Sequence, residues 1–127
     1  MNIKIKTIPH KEQRYETCGD WFYDANSNLQ IRVSEMDDPR YEFLIAFHEL
    51  VEARLCDEDG VQQEDVDAFD LHYERNRLPG DDSEPGDHHA APYHKQHIFA
   101  TEMEKYMAAQ LGVRWENYEK ALKELHQ

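Results

Sequence analysis

Between Asp38-Pro39 and Asp59-Gly60 lies the stretch that most limits how this chain can fold. Asp38 is a good N-cap, Pro39 suits the first helical position, and Asp-Gly breaks a helix. Inside those limits Tyr41, Leu44, Val51 and Leu55 recur at helical spacing, with Ile45 and Phe47 beside them. The pattern predicts a helix over residues 38–56 with one buried stripe. Two polar residues interrupt that stripe. His48 falls between Leu44 and Val51, and Glu52 lies one turn later, beside Ile45 and Leu55. A histidine and a carboxylate facing a core are costly unless they are paired or bind a metal. At i and i+4 they point the same way and can share one ligand. Glu49 is rotated from them, placed to reach a water at such a ligand as a general base. The bland alternative is structural: His48 and Glu52 hydrogen-bond each other, or Glu52 pairs with an arginine such as Arg32.

The rest of the chain gives this helix a setting. Ile3, Ile5 and Ile8 predict a first strand ending at Pro9. Residues 21–23 and 29–33 flank the turn Asp24-Ala25-Asn26-Ser27-Asn28 and read as a hairpin. A small antiparallel sheet at the N-terminus is therefore expected. A second helix is expected over residues 63–77, with Val66, Phe69 and Tyr73 on one face. Residues 78–90 carry Pro79-Gly80, Pro85-Gly86 and the acids Asp81, Asp82, Glu84 and Asp87, which reads as a mobile acidic loop. A third helix is expected from near Pro92 to Gly112, and a fourth carries Trp115, Tyr118, Leu122 and Leu125. The class is α+β, a small sheet followed by about four helices, in a single domain over 1–127.

Histidine usage singles out a second position. Of eight histidines, four fall between Asp87 and Ile98: His88, His89, His94 and His97. His97 shares a helical face with Tyr93, Ala100, Glu104 and Leu111, which is mostly the apolar one. Two separate helices thus each bring a histidine to the core side. A zinc-type site needs a third ligand. His97 is the first choice, with His94 and Glu104 behind it. Solvated loop is the plain reading for His88 and His89, and first-turn surface for His94.

Composition bounds the partners. The net charge of −13 over 127 residues opposes nucleic-acid binding through phosphates, which depends on Lys and Arg. No apolar run is long enough to span a membrane, and Met1 to Thr7 lacks a signal-peptide core. A cytoplasmic protein with Cys18 and Cys56 as reduced thiols is expected. The acidity also admits a non-catalytic binding or inhibitor protein that engages a basic protein partner.

Residues 41–53, Tyr-Glu-Phe-Leu-Ile-Ala-Phe-His-Glu-Leu-Val-Glu-Ala, resemble the active-site helix of the zincin-like metallohydrolases. Small phage and bacterial members carry a hydrophobic lead-in to His-Glu-Leu after an antiparallel strand, as residues 29–33 would supply. The resemblance covers about one helix and that strand. It implies His48 as a metal ligand, Glu49 as catalytic base, and hydrolysis of a peptide or other amide bond in a substrate peptide or small molecule. The departure is Glu52, which stands where the family has its second histidine. A carboxylate hardens the ligand set, so manganese or iron join zinc as the expected divalent metal.

A second resemblance points elsewhere. Glu49 and Glu52 form E-x-x-E, and Glu64, Asp67 and Asp70 give acids at i+3 spacing on the next helix. That is similar to the all-helical MazG-type nucleotide pyrophosphatases, and it implies magnesium held against a triphosphate. Asp70, next to Phe69 on the apolar side, is the acid of that helix hardest to read as surface.

Overall fold

The computed structural model describes residues 1–126. Its elements run β1 (Ile3–Ile8), β2 (Gly19–Tyr23), β3 (Leu29–Ser34), α1 (Pro39–Glu58), α2 (Gln63–Arg75), α3 (His94–Gln110) and α4 (Trp115–Leu125), an α+β fold with the sheet first and four helices after it. The β2–β3 hairpin is antiparallel, with Trp21 opposite Ile31. Its turn closes on Asp24, whose Oδ1 accepts from the N–H groups of Asn26 and Asn28 at 2.9 and 3.0 Å. Ser27 takes the left-handed conformation, φ 61°, that the reversal needs.

The sheet is mixed, which corrects the expectation of a wholly antiparallel one. Strand order is β1-β3-β2, and β1 runs parallel to β3, Ile3 opposite Leu29 and Ile8 opposite Ser34. A parallel pair needs a crossover in place of a tight turn. Residues 9–18 provide it by arching over the Ser34 end of β3 and delivering the chain to the far edge as β2. The arch is fastened there. Ser34 N–H bonds to Cys18 O and Glu35 N–H to Ile8 O, both at 2.8 Å, and the Gln13 amide reaches Cys18 O at 3.2 Å and Ser34 Oγ at 3.1 Å.

Helix α1 lies over β2 and β3. Trp21, Leu29, Ile31 and Val33 from the sheet meet Leu44, Ile45, Ala53 and Cys56 from the helix in one buried cluster. Each large aliphatic side chain in it contributes about 1.5–3 kcal/mol of burial. Ile3 and Ile5 share that sheet face by register but stay half exposed beyond the helix. The α1 cap is as read: Asp38 Oδ1 accepts from Arg40 N–H at 2.9 Å. Gly60 and Gly112 follow α1 and α3 at φ +73° and +71°, a conformation that costs glycine little.

Helix α3 packs along α1. Ala100, wholly buried between His97 and Glu104, keeps that contact close. This pairing turns the polar residues of the two helices toward each other. Both cysteines are free thiols. Among the described residues, no helix is long and apolar enough to cross a membrane.

Candidate metal centre

Three donor atoms converge between α1 and α3. His48 Nε2 lies 3.0 Å from Glu52 Oε2 and 3.2 Å from His97 Nδ1, and His97 Nδ1 lies 3.0 Å from the same Glu52 oxygen. All three residues are buried. Four ligands at about 2.0–2.1 Å around a tetrahedral zinc stand roughly 3.3 Å apart. The observed triangle is therefore close to the face of such a tetrahedron.

The outer atoms of the same side chains are all engaged. His48 Nδ1 lies 2.7 Å from Glu104 Oε1, and the other Glu104 oxygen accepts from the Tyr118 hydroxyl at 2.5 Å. His97 Nε2 lies 3.1 Å from both Asp87 Oδ1 and Glu84 Oε2. Trp21 Nε1–H donates to Glu52 Oε1 at 3.0 Å, which leaves Oε2 alone to face the histidines. A ring nitrogen facing a carboxylate carries the proton, and both nitrogens of each ring face one, so without an ion the inner nitrogens donate to Glu52. A divalent ion at the meeting point would replace those inner protons, and two imidazole lone pairs and one carboxylate oxygen would then face it.

The electrostatics agree. Burial disfavours charge on Glu52, but hydrogen bonds from His48 and His97 and their charge outweigh it and hold the carboxyl down at about 2. Burial likewise lowers the basicity of His48, and bonds to Glu104 and Glu52 more than reverse this. For His97, burial is overcome by Asp87, Glu52 and Glu84. The pocket accumulates negative charge and draws in positive charge to balance it.

Two glycines shape the walls. A Cβ on Gly86 would stand 2.4 Å from His97 Cγ, and one on Gly19 would stand 2.5 Å from Ile45 Cγ2 and 2.9 Å from Glu49 Cγ. Gly86 thus lets the 78–90 segment lie against the His97 ring. Gly86→Ala is expected to push the ring off its position, lowering stability by about 1–3 kcal/mol and weakening metal binding. Urea unfolding and a zinc titration of the variant check both, and unchanged values would mean the ring is not held by this contact.

The centre opens on a cavity of about 710 Å³ lined by Tyr15, Trp21, Glu49, Asp70 and Tyr93 among others. Glu49 makes no hydrogen bond to the described residues. Burial raises its pKa well above the ordinary value, the Glu52 charge adds to this, and His48 offsets part of it. Across the cavity, Asp70 accepts from Tyr93 OH at 2.5 Å and Tyr15 OH at 2.8 Å. Burial raises its pKa, the two tyrosines oppose the rise, and the charges of Glu52 and Asp67 add to it, leaving it pushed up to about 7. The folded protein therefore binds this proton more tightly than the unfolded chain does. Its contribution is lost as pH rises from about 4 to about 7 and is then constant. Asp70→Asn is expected to flatten stability across that window and to raise it at pH 8 by on the order of 2 kcal/mol. Denaturant midpoints at pH 5 and pH 8 test this, and an unchanged pH slope would contradict it.

The structure brings His48, Glu52 and His97 together and sets Glu49 and Asp70 on the cavity they face. Glu104 lies behind His48, outside the converging triangle, because Tyr118 and His48 each take one of its oxygens. His94 is turned away, its Nδ1 2.9 Å from Gly86 O. Asp67 is bound by Arg14, which also grips Asp20. Arg32 stacks on Phe22 and leaves Glu52 to the histidines and Trp21. Within residues 78–90, a 3₁₀ turn at Pro85–Asp87 sets Asp87 on His97, with Glu84 just before it. The sequence reading missed Asp87, Glu84 and Gly86 as parts of the site. Comparison with protein-family models, with curated proteins and with solved structures finds no match to this chain.

Proposed function

We propose that His48, Glu52 and His97 bind a divalent metal and that the protein is a metal-dependent hydrolase of a peptide or other amide bond. The observation that carries the reading is the inward convergence of His48 Nε2, His97 Nδ1 and Glu52 Oε2, each with its outer atom tied to a partner. Two histidines and one carboxylate make the ligand set of a catalytic zinc site, which keeps a further position open. Trp21 favours one-oxygen coordination by Glu52, so zinc is the first expectation, with manganese and iron after it. Magnesium fits poorly beside two imidazoles.

When bound, the ion supplies a Lewis acid and lowers the pKa of water. The chain's own residues do the remaining work. Glu49 faces the cavity beside the ligands and is not one of the converging donors. It suits a group that takes a proton from the attacking water and passes it to the leaving amine. Tyr15, Trp21 and Tyr93 wall the space in which the substrate would lie. Asp70 adds a second carboxyl that exchanges its proton near neutrality.

The test uses untagged protein loaded in turn with zinc, manganese and iron(II) and incubated with a quenched fluorescent peptide library. Chelator-sensitive cleavage is expected with at least one metal. No cleavage with any of them, on protein shown to bind the metal, would reject the hydrolase assignment and leave a metal centre without it.

A further inference from the structure

A second group of histidines and a carboxylate stands at the rim of the same cavity, built from parts of the chain far apart in sequence. His10 lies in the 3₁₀ turn His10–Glu12 after β1, Glu16 in the arch before β2, and His126 at the C-cap of α4. Glu16 and His126 line the cavity. His10 Nε2 is 3.1 Å from Glu16 Oε1, and His126 Nδ1 is 2.6 Å from the same oxygen. The two rings meet edge to face with centroids 5.5 Å apart.

The outer nitrogens are engaged as well. His10 Nδ1 lies 2.8 Å from Ser34 Oγ. The Ser34 hydroxyl donates to Thr17 O and accepts from the Gln13 amide, so toward His10 it acts as an acceptor and His10 Nδ1 carries the proton. His126 Nε2 lies 3.5 Å from Cys18 Sγ, and that thiol donates to Leu122 O, so here too the ring nitrogen is the donor. The inner atoms, His10 Nε2 and His126 Nδ1, both converge on one Glu16 oxygen, where an ion would replace the protons of those two hydrogen bonds. Ser34 is fully buried, so the orientation of His10 is set by the fold and not by solvent.

We infer that His10, Glu16 and His126 form a second divalent-metal site, of zinc class, that fastens α4 to the arch between β1 and β2. Two imidazoles and one carboxylate suit zinc. Each of the three residues keeps partial exposure, so the ion enters from solvent without unfolding. Its role is bracing. Helix α4 carries Tyr118, which holds Glu104, which in turn holds His48, so an ion at the rim steadies the helix on which the inner histidine's orientation depends. The rim site rests on its own geometry and stands or falls apart from the hydrolase reading.

Isothermal titration with zinc chloride at pH 7.5, on chelator-stripped protein without a metal-affinity tag, tests it. The wild type is expected to take up two equivalents. His126→Ala and Glu16→Gln are each expected to lose one, and His48→Ala to lose the other. The first two residues are at the surface, and far-UV circular dichroism confirms that their variants fold. A single wild-type equivalent that disappears in His126→Ala and survives in His48→Ala would uphold the rim site and remove the inner one. Stoichiometry and affinity unchanged in both His126→Ala and Glu16→Gln would overturn the inference and mean that the rim histidines hold Glu16 with protons only.

Discussion

Alanine at His48 is expected to lower zinc affinity at the inner site by more than about 100-fold, beyond the range usual for losing an outer partner. The change removes one of three converging donors. It also leaves Glu52 and Glu104 buried without the ring that lies between them. Breaking a buried charge pair by deleting one partner costs about 3–5 kcal/mol, so metal-free His48→Ala is expected to unfold at clearly lower urea concentration. Tyr118→Phe is the graded control. It keeps every ligand and removes only the hydroxyl that steadies Glu104, so a loss of about 10–100-fold is expected. Competition against a fluorescent zinc chelator gives both values. Because the histidines must shed their inner protons to bind, affinity is also expected to rise with pH. Wild-type affinity in His48→Ala would show that the triangle holds protons and no ion.

Glutamine at Glu49 is expected to separate binding from turnover. Glu49 is not one of the converging ligands, and glutamine keeps its shape in the tight space against Gly19. Metal content should stay within a few-fold of wild type. Cleavage of the best substrate from the peptide library should fall by about 10²–10⁴, the usual contribution of a positioned acid–base group. Equal turnover would remove Glu49 from the mechanism and turn attention to Asp70, which faces the same cavity.

What the sequence made legible follows from periodicity. His48 and Glu52 stand out because an apolar stripe at helical spacing has a definite phase, and both residues sit in it. His97 and Glu104 are legible on the third helix for the same reason. That phase says which face a residue occupies but not how far across it lies, so it could not separate a ligand from Glu104, which supports one. Asp87, Glu84 and Gly86 come from an irregular acidic stretch with no period to read, most of it exposed as its composition suggests, so nothing local marks the three that meet His97. The parallel pairing of β1 depends on how ten residues, 9–18, cross the end of β3. Nothing in the alternation of Ile3 and Ile5 distinguishes that from a third antiparallel strand. The rim group joins Glu16 to His126, 110 positions apart, through a helix C-terminus, where no local spacing signals a contact.

Anomalous X-ray scattering at the zinc absorption edge, from crystals of zinc-loaded wild-type protein, would locate an ion between α1 and α3. A peak is expected about 2.0–2.1 Å from His48 Nε2, His97 Nδ1 and Glu52 Oε2, with Trp21 still donating to the other Glu52 oxygen. Absence of a peak there, with the three side chains hydrogen-bonded to one another, would contradict the proposed metal centre and leave the cluster as a buried polar network of the core.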